Sequence, residues 1–241
     1  MTQLIAHRGA SKHALENTKK AFEIAAYSNN VYGIETDIWI TLDDIWVCSH
    51  ESNPFNDKKI HINQVNYQDI KNLVLDIPKA KYQDFVNNYL CTFNEYLDVC
   101  QKYNKIPIVE LKQPNLTKTQ LINLIKIITQ KKMLYKTSFI SFEYDLLNLL
   151  KLIEPKIITY DLIDTKFTRN GLGKTGIKHA INLKHNISVR HFLATKSLIK
   201  IAHDNNVLIS IWTVDKKSNA LKYQKRGIDF ITSNDINLFN D

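Results

Sequence analysis

From residue 106 onward the chain alternates extended apolar runs with amphipathic helical runs, and few folds accommodate that rhythm. Extended segments are expected at 106–111, 138–142, 156–160, 180–183, 207–214 and 230–232. Helices are expected at 117–132, 144–152, 197–205 and 218–226, the first carrying Leu121, Leu124, Ile125 and Ile128 on one face. Upstream, Leu4–His7 and Ile34–Thr41 read as two more strands, with a helix opened by the capping types Asn17 and Thr18 between them. Strands separated by helices of this length pair in parallel through crossovers. Eight of them is the number that closes a barrel. No strand is followed by the glycine-rich loop of a dinucleotide-binding sheet, which argues against an open doubly wound fold. The expected fold class is therefore α/β, a (β/α)8 TIM barrel.

A further extended segment, 45–50, follows the second strand, and a helix from Thr92 to about Tyr103 opens with a capping box, Thr92 and Glu95. Residues 51–90 between them are polar and irregular, with one short helix near 68–73. They read as a small insertion over the barrel mouth, between the second strand region and its following helix, within a single domain spanning 1–241. At 241 residues, 44% hydrophobic and 23% charged, the chain has the makings of one sizeable core. Cys48, Cys91 and Cys100 are odd in number and lack metal-type spacing, and no signal-like leader or membrane-length apolar run is present. The expected location is cytoplasmic, with no stable membrane insertion. The formal charge of +8 is spread over lysines on separate helices. No aromatic-and-basic groove motif accompanies it, so nucleic acid is not an expected partner.

Reactive groups of such a barrel lie at the C-terminal ends of its strands. His7 ends the first expected strand, Asp37 is near the end of the second, Glu110 and Lys112 close the third, and Trp212 is near the end of the seventh. Glu35 and Asp37, two apart on a strand, project to one side, and their repulsion calls for a cation between them. Three carboxylates without cysteine ligands suit a hard divalent ion, Mg²⁺ or Ca²⁺. Arg8 and Lys112 beside such an ion are phosphate-binding types, and His7 and His50 offer an acid and a base near neutral pH. The set describes metal-assisted cleavage of a phosphate ester.

The ordered series His7-Arg8-Gly9-Ala10-Ser11, Glu16-Asn17-Thr18 with Phe22, Glu35-x-Asp37 with Thr41 and Asp43, His50, and Glu110-x-Lys112 resembles the signature of the glycerophosphodiester phosphodiesterases. Trp212-Thr213 and the closing run 227–232 resemble that family's last two strands. The resemblance implies a TIM barrel, a metal held by Glu35, Asp37 and Glu110, acid–base work by His7 and His50, phosphate contacts from Arg8 and Lys112, and an orienting role for Glu16. Trp212 would pack on the glycerol carbons.

Three departures stand out. Glu51 occupies the place of the usual Asp after the second histidine, Asp43-Asp44 replaces an Asp-Gly turn, and 52–57 replaces an Arg- and Thr-containing run. They bear on the alcohol pocket and leave the catalytic groups in place. The expected reaction is hydrolysis of a small-molecule glycerophosphodiester to glycerol 3-phosphate and an alcohol, with His7 as base and His50 as acid. The nucleophile would be either water or the adjacent glycerol hydroxyl, and the resemblance favours the hydroxyl. Two other readings stay open: a lysophospholipase-D-like or sphingomyelinase-D-like enzyme, whose apolar channel Phe55 and Tyr67 would begin, and a catalytically silent binding barrel. Head group, choice of metal and oligomeric state are left open.

Overall fold

The computed structural model describes residues 2–76, 88–164 and 172–239. Its strands are β1 (Gln3–Ala6), β2 (Val31–Ile40), β3 (Trp46–Cys48), β4 (Cys91–Thr92), β5 (Ile106–Leu111), β6 (Ser138–Ser141), β7 (Ile158–Ile163), β8 (Asn186–Arg190), β9 (Ile209–Trp212) and β10 (Phe230–Ser233). Its helices are α1 (Lys19–Tyr27), α2 (Tyr67–Ile70), α3 (Phe93–Lys102), α4 (Lys118–Gln130), α5 (Tyr144–Ile153), α6 (Leu172–Asn182), α7 (Lys196–Asp204) and α8 (Lys217–Gln224). β1 pairs in parallel with both β2 and β10, which closes β1, β2 and β5–β10 into an eight-stranded barrel. The expected TIM barrel is thus the fold.

Strand alternation separates two apolar layers. Ile34, Ile38, Val109, Phe139, Ile187 and Ile211 face outward under the helices, where Phe22, Leu97, Leu124 and Leu147 cover them. Ile5, Ile108, Ile140, Tyr160 and Leu162 point into the barrel. The helices begin where the sequence supplies caps. The Thr18, Thr92, Thr117 and Thr195 side chains each accept a first-turn backbone N–H, and Thr92 and Thr117 complete full capping boxes.

Two elements differ from expectation. The run 180–183 is the end of α6 and its exit, and the strand is β8, further on. Ile177, Ala180 and Ile181 have helical spacing and pack on the outer core. The chain then turns through Lys184, at φ +56°, before β8 starts. β8 was hidden because Ser188 interrupts its apolar run and faces the hollow interior. β7 also continues to Ile163 instead of stopping at Tyr160, which carries Leu162 and Asp164 to the mouth.

β2 outruns the barrel. Its last residues pair antiparallel with β3, and β3 with β4, a strand too short to read from the sequence. Asp44, at φ +60°, fills the left-handed turn position that a glycine would take. Asp43 Oδ1 accepts from Thr41 Oγ1 at 2.6 Å and from the Tyr67 amide at 2.9 Å, which ties the turn to α2. Beyond β3, Phe55, Ile62, Ile70 and Leu75 bury one another with Val47 and Leu15 in a cluster distinct from the barrel core. The expected helix at 68–73 is α2, shorter and slightly earlier. Residues 77–87 of the expected insertion lie outside the described residues.

Candidate active site

The register of β2 against β5 sets Asp37 directly beside Glu110, and Glu35 lies two residues back on the same face of β2. Oxygens of Glu35, Asp37 and Glu110 all fall within 4.8 Å of one another. Glu35 and Asp37 are buried, so little solvent relieves their repulsion. Burial, and then the Asp37 charge, push Glu35 well above the usual carboxylate range, and the same two causes raise Glu110 to about 8. Burial would raise Asp37 as well, but Arg8, His50 and Lys112 outweigh it and hold Asp37 low.

Arg8 is bound on three sides. It stands at φ +54°, and its amide donates to Glu35 Oε2 at 2.7 Å. Its Nη1 donates to Glu16 Oε1 at 2.7 Å, and its Nε lies 3.2 Å from Asp37 Oδ2. Gly9 follows at φ +80°, with the Ala21 backbone 2.7 Å from where a Cβ would stand. Only glycine lets the loop pass that close to α1. Lys112 Nζ pairs with Glu110 at 3.0 Å and stands 3.9 Å from Asp37 Oδ1. Asp37 Oδ1 is buried and accepts no hydrogen bond. Counting Glu16, four carboxylates face Arg8 and Lys112, a formal excess of two negative charges that a divalent cation would balance. The donor set and the orphaned oxygen both fit a hard cation.

Asn234 fixes the state of His7. Its Nδ2 donates to Asp215 Oδ2 at 2.7 Å, which turns its Oδ1 toward His7 Nδ1, 2.8 Å away, and toward the Ser11 hydroxyl, 2.7 Å away. His7 Nδ1 must therefore carry the proton, leaving Nε2 as the basic nitrogen. Burial, followed by the Arg8 charge, lowers the His7 pKa below its ordinary 6.5. His50 lies just past β3, and its Nδ1 donates to Glu51 Oε1 at 2.7 Å. Glu51 thus reaches the imidazole from the place where an Asp was expected.

These groups line a cavity of about 490 Å³ at the C-terminal ends of the strands. His7, Arg8, Glu35, His50, Glu110 and Lys112 occupy one side, and Trp212 stands on the lining with Phe142, Leu162, Asp164, Arg190 and Phe192. Asp37 touches the others from beneath, and Glu16 reaches the site through Arg8. All nine residues singled out from the sequence therefore meet at one mouth. Phe55 and Tyr67 do not line it. They pack within the separate cluster beyond β3, so the apolar channel they were expected to begin is not built from them.

Three further groups belong to the site. Asn17, buried at φ +56°, donates to Asp37 Oδ2 at 2.9 Å and accepts from Thr36. Its cap-like appearance hid this role. Asn234 and Asp215 sit just after β10 and β9, where strand-end polar residues could have been counted as Glu110 was.

A model of the Glycerophosphoryl diester phosphodiesterase family matches residues 7–238. Among solved structures, a phosphodiesterase of Oleispira antarctica, in complex with the product sn-glycerol-3-phosphate, superposes with a TM-score of 0.83 at 20% identity, covering 97% of this chain and 93% of that one. A glycerophosphodiester phosphodiesterase of Parabacteroides distasonis gives 0.79 at 23% identity, covering 97% and 92%. Both likenesses speak to the fold. Two uncharacterised proteins of Mycoplasma genitalium are 42% and 30% identical over 73 and 147 residues, stretches covering 30% and 59% of this chain. The matches span the same 30% and 59% of those relatives' own lengths. The family match begins at His7 and runs through the strand ends that build the cavity, and the chain belongs to the glycerophosphoryl diester phosphodiesterase family.

Proposed function

We propose that this chain hydrolyses small-molecule glycerophosphodiesters to glycerol 3-phosphate and an alcohol, with a divalent cation and two histidines. The observation that carries the reading is the buried trio Glu35, Asp37 and Glu110, with an Asp37 oxygen that accepts no hydrogen bond, set beside Arg8 and Lys112 in one cavity. The three carboxylates would hold Mg²⁺ or Ca²⁺. A bound cation would neutralise a phosphoryl oxygen and help stabilise the charge that grows on it in the transition state.

Arg8, aligned by Glu16, and Lys112 hold the phosphodiester and act on the same developing charge. His7 Nε2 takes the proton of the nucleophile, since Asn234 keeps the proton on Nδ1. His50, oriented by Glu51, gives a proton to the departing alcohol oxygen as its bond to phosphorus breaks. With the glycerol 2-hydroxyl as nucleophile, the new oxygen–phosphorus bond closes a cyclic phosphate. Water then opens that ring with the two histidines exchanging roles. Trp212, on the cavity lining, offers apolar surface to the glycerol carbons. The product held by the Oleispira relative has the chemistry this cavity would release. Among the described residues no helix is long and apolar enough to cross a membrane. Cys48, Cys91 and Cys100 are all free and buried, in keeping with a cytoplasmic setting.

The test follows glycerophosphocholine and its 2-deoxy analogue by ³¹P NMR with Mg²⁺ or Ca²⁺. His7→Ala and His50→Ala should each lower kcat by roughly 10²–10⁴-fold. The deoxy analogue should bind but turn over far more slowly, because an internal nucleophile has an effective molarity on the order of 10⁵ M or more. A fully active double histidine variant would end the acid–base assignment. Equal kcat for the two compounds would leave water as the nucleophile.

A further inference from the structure

The cavity is larger than glycerol phosphate requires, and its wall away from the carboxylates carries a second set of charges. Arg190, the last residue of β8, lies with its guanidinium 5.0 Å from the centre of the Trp212 ring. Its Nε is 3.0 Å from Asp164 Oδ1, and 44% of its side chain remains exposed on the cavity lining. Asp164 is nearly enclosed, at 9% side-chain exposure. Phe142 packs edge-on to Trp212, with ring centroids 6.0 Å apart, and fixes the platform on which Arg190 rests.

This wall could serve one of two kinds of leaving group, and the geometry decides between them. Trp212, Phe142 and a carboxylate are the parts of a cage for a substituted ammonium such as choline. Here the cage is already filled. The guanidinium covers the Trp212 face and neutralises Asp164, so an ammonium would have to displace Arg190 from both and leave that cation beside its own. An anionic group meets the opposite situation. A guanidinium whose Nε is held by a carboxylate and whose face rests on an indole is already oriented, and loses little freedom when its other N–H groups donate to a further acid group. The formal charge of +8 on the whole chain favours arrival of such substrates as well.

We infer that Arg190 selects glycerophosphodiesters whose leaving alcohol carries a second anionic group, a carboxylate or a phosphate. The inference rests on the phosphodiesterase reading and deepens it by naming the substrate class. Arg190 is a specificity residue here, and Asp164 and Trp212 position it.

The test uses four diesters of glycerol phosphate whose leaving alcohols differ only at the far end: ethanol, ethanolamine, glycolate and 2-phosphoethanol. Dissociation constants are measured by calorimetry with the metal chelated, so that no turnover intervenes, and kcat/KM is measured with metal at low ionic strength. The wild-type protein should favour an anionic end over the neutral one, and the neutral one over ammonium, by about tenfold or more at each step in both readouts. Whichever of glycolate and 2-phosphoethanol ranks first identifies the acid group. In Arg190→Gln/Asp164→Asn, which leaves no buried carboxylate unpaired, the anionic-to-neutral ratio should fall to near one, and Arg190→Lys should retain part of it. Equal affinities across the series, a preference for ammonium, or a ratio unchanged in the double variant would overturn the inference. Absence of turnover with all four diesters would count instead against the phosphodiesterase reading, while the binding order would still judge Arg190.

Discussion

Under the proposed mechanism, Asn234 would decide the chemistry without touching the substrate. By presenting its carbonyl oxygen to His7 it selects the tautomer a general base needs, and Asp215 selects which end of the amide it presents. Asn234→Ala should therefore lower kcat by roughly 10–100-fold, the equivalent of about 1.5–3 kcal/mol for a hydrogen bond to a group that becomes charged. The same bond raises the His7 pKa, which burial already lowers, so its loss should move the acid limb of the kcat/KM profile to lower pH. A purely structural role would leave that limb in place. Glu110 permits a prediction about stability. Its folded pKa of about 8 lies above the ordinary 4.5, so its protonated form favours the fold. That contribution is complete below pH 4.5 and is lost as pH rises through about 8. In chelator, Tm should fall across this window, and excess Mg²⁺ or Ca²⁺ should restore it at the alkaline end. A Tm that rises with pH in chelator would contradict the raised Glu110 pKa.

At the scale of elements, what was legible followed from period and from caps. The helices at 117–132 and 144–152 were readable because Leu121, Leu124 and Ile128, or Leu146, Leu147 and Leu150, recur on one face. The first of them was readable also because Thr117 announces its start. β8 was not, since its inward residue is Ser188 and the apolar end of α6 looked more strand-like than β8 itself. The metal-type trio was legible because strand alternation alone places Glu35 and Asp37 together. The groups that orient His7 from the β9–α8 and post-β10 loops were not, because sequence distance hides the 2.8 Å contact of Asn234 with His7 and its 2.7 Å contact with Asp215. The cluster beyond β3 is a unit of its own. Phe55, 2% exposed, is among its largest members. Phe55→Ala should cost about 3–5 kcal/mol locally. Hydrogen exchange should then quicken over 51–76 and leave β5–β10 protected, and kcat should fall because His50 and Glu51 are anchored where this segment leaves the hairpin. Uniform loss of protection throughout the barrel would show that the cluster is part of the main core.

The whole molecule converts sequence order into one reaction chamber. Parallel strands bring His7, Glu35, Asp37, Glu110 and Trp212 from four strand ends to one mouth, and the hairpin adds His50. Burial at the base of the cavity sharpens the mutual repulsion of the carboxylates, which a bound cation would relieve. The departures from the family pattern fall outside this chamber or are compensated within it, as Glu51 is. Catalysis is therefore expected to depend on a divalent ion held by these three carboxylates. The most direct measurement is the rate of glycerol 3-phosphate release from glycerophosphocholine by chelator-stripped protein as Mg²⁺ or Ca²⁺ is added back, for the wild type and for Glu35→Gln. The prediction is no measurable turnover in chelator, saturable recovery with metal for the wild type, and none for Glu35→Gln even though it remains folded by circular dichroism. Full turnover in chelator, or a Glu35→Gln variant that recovers like the wild type, would contradict it.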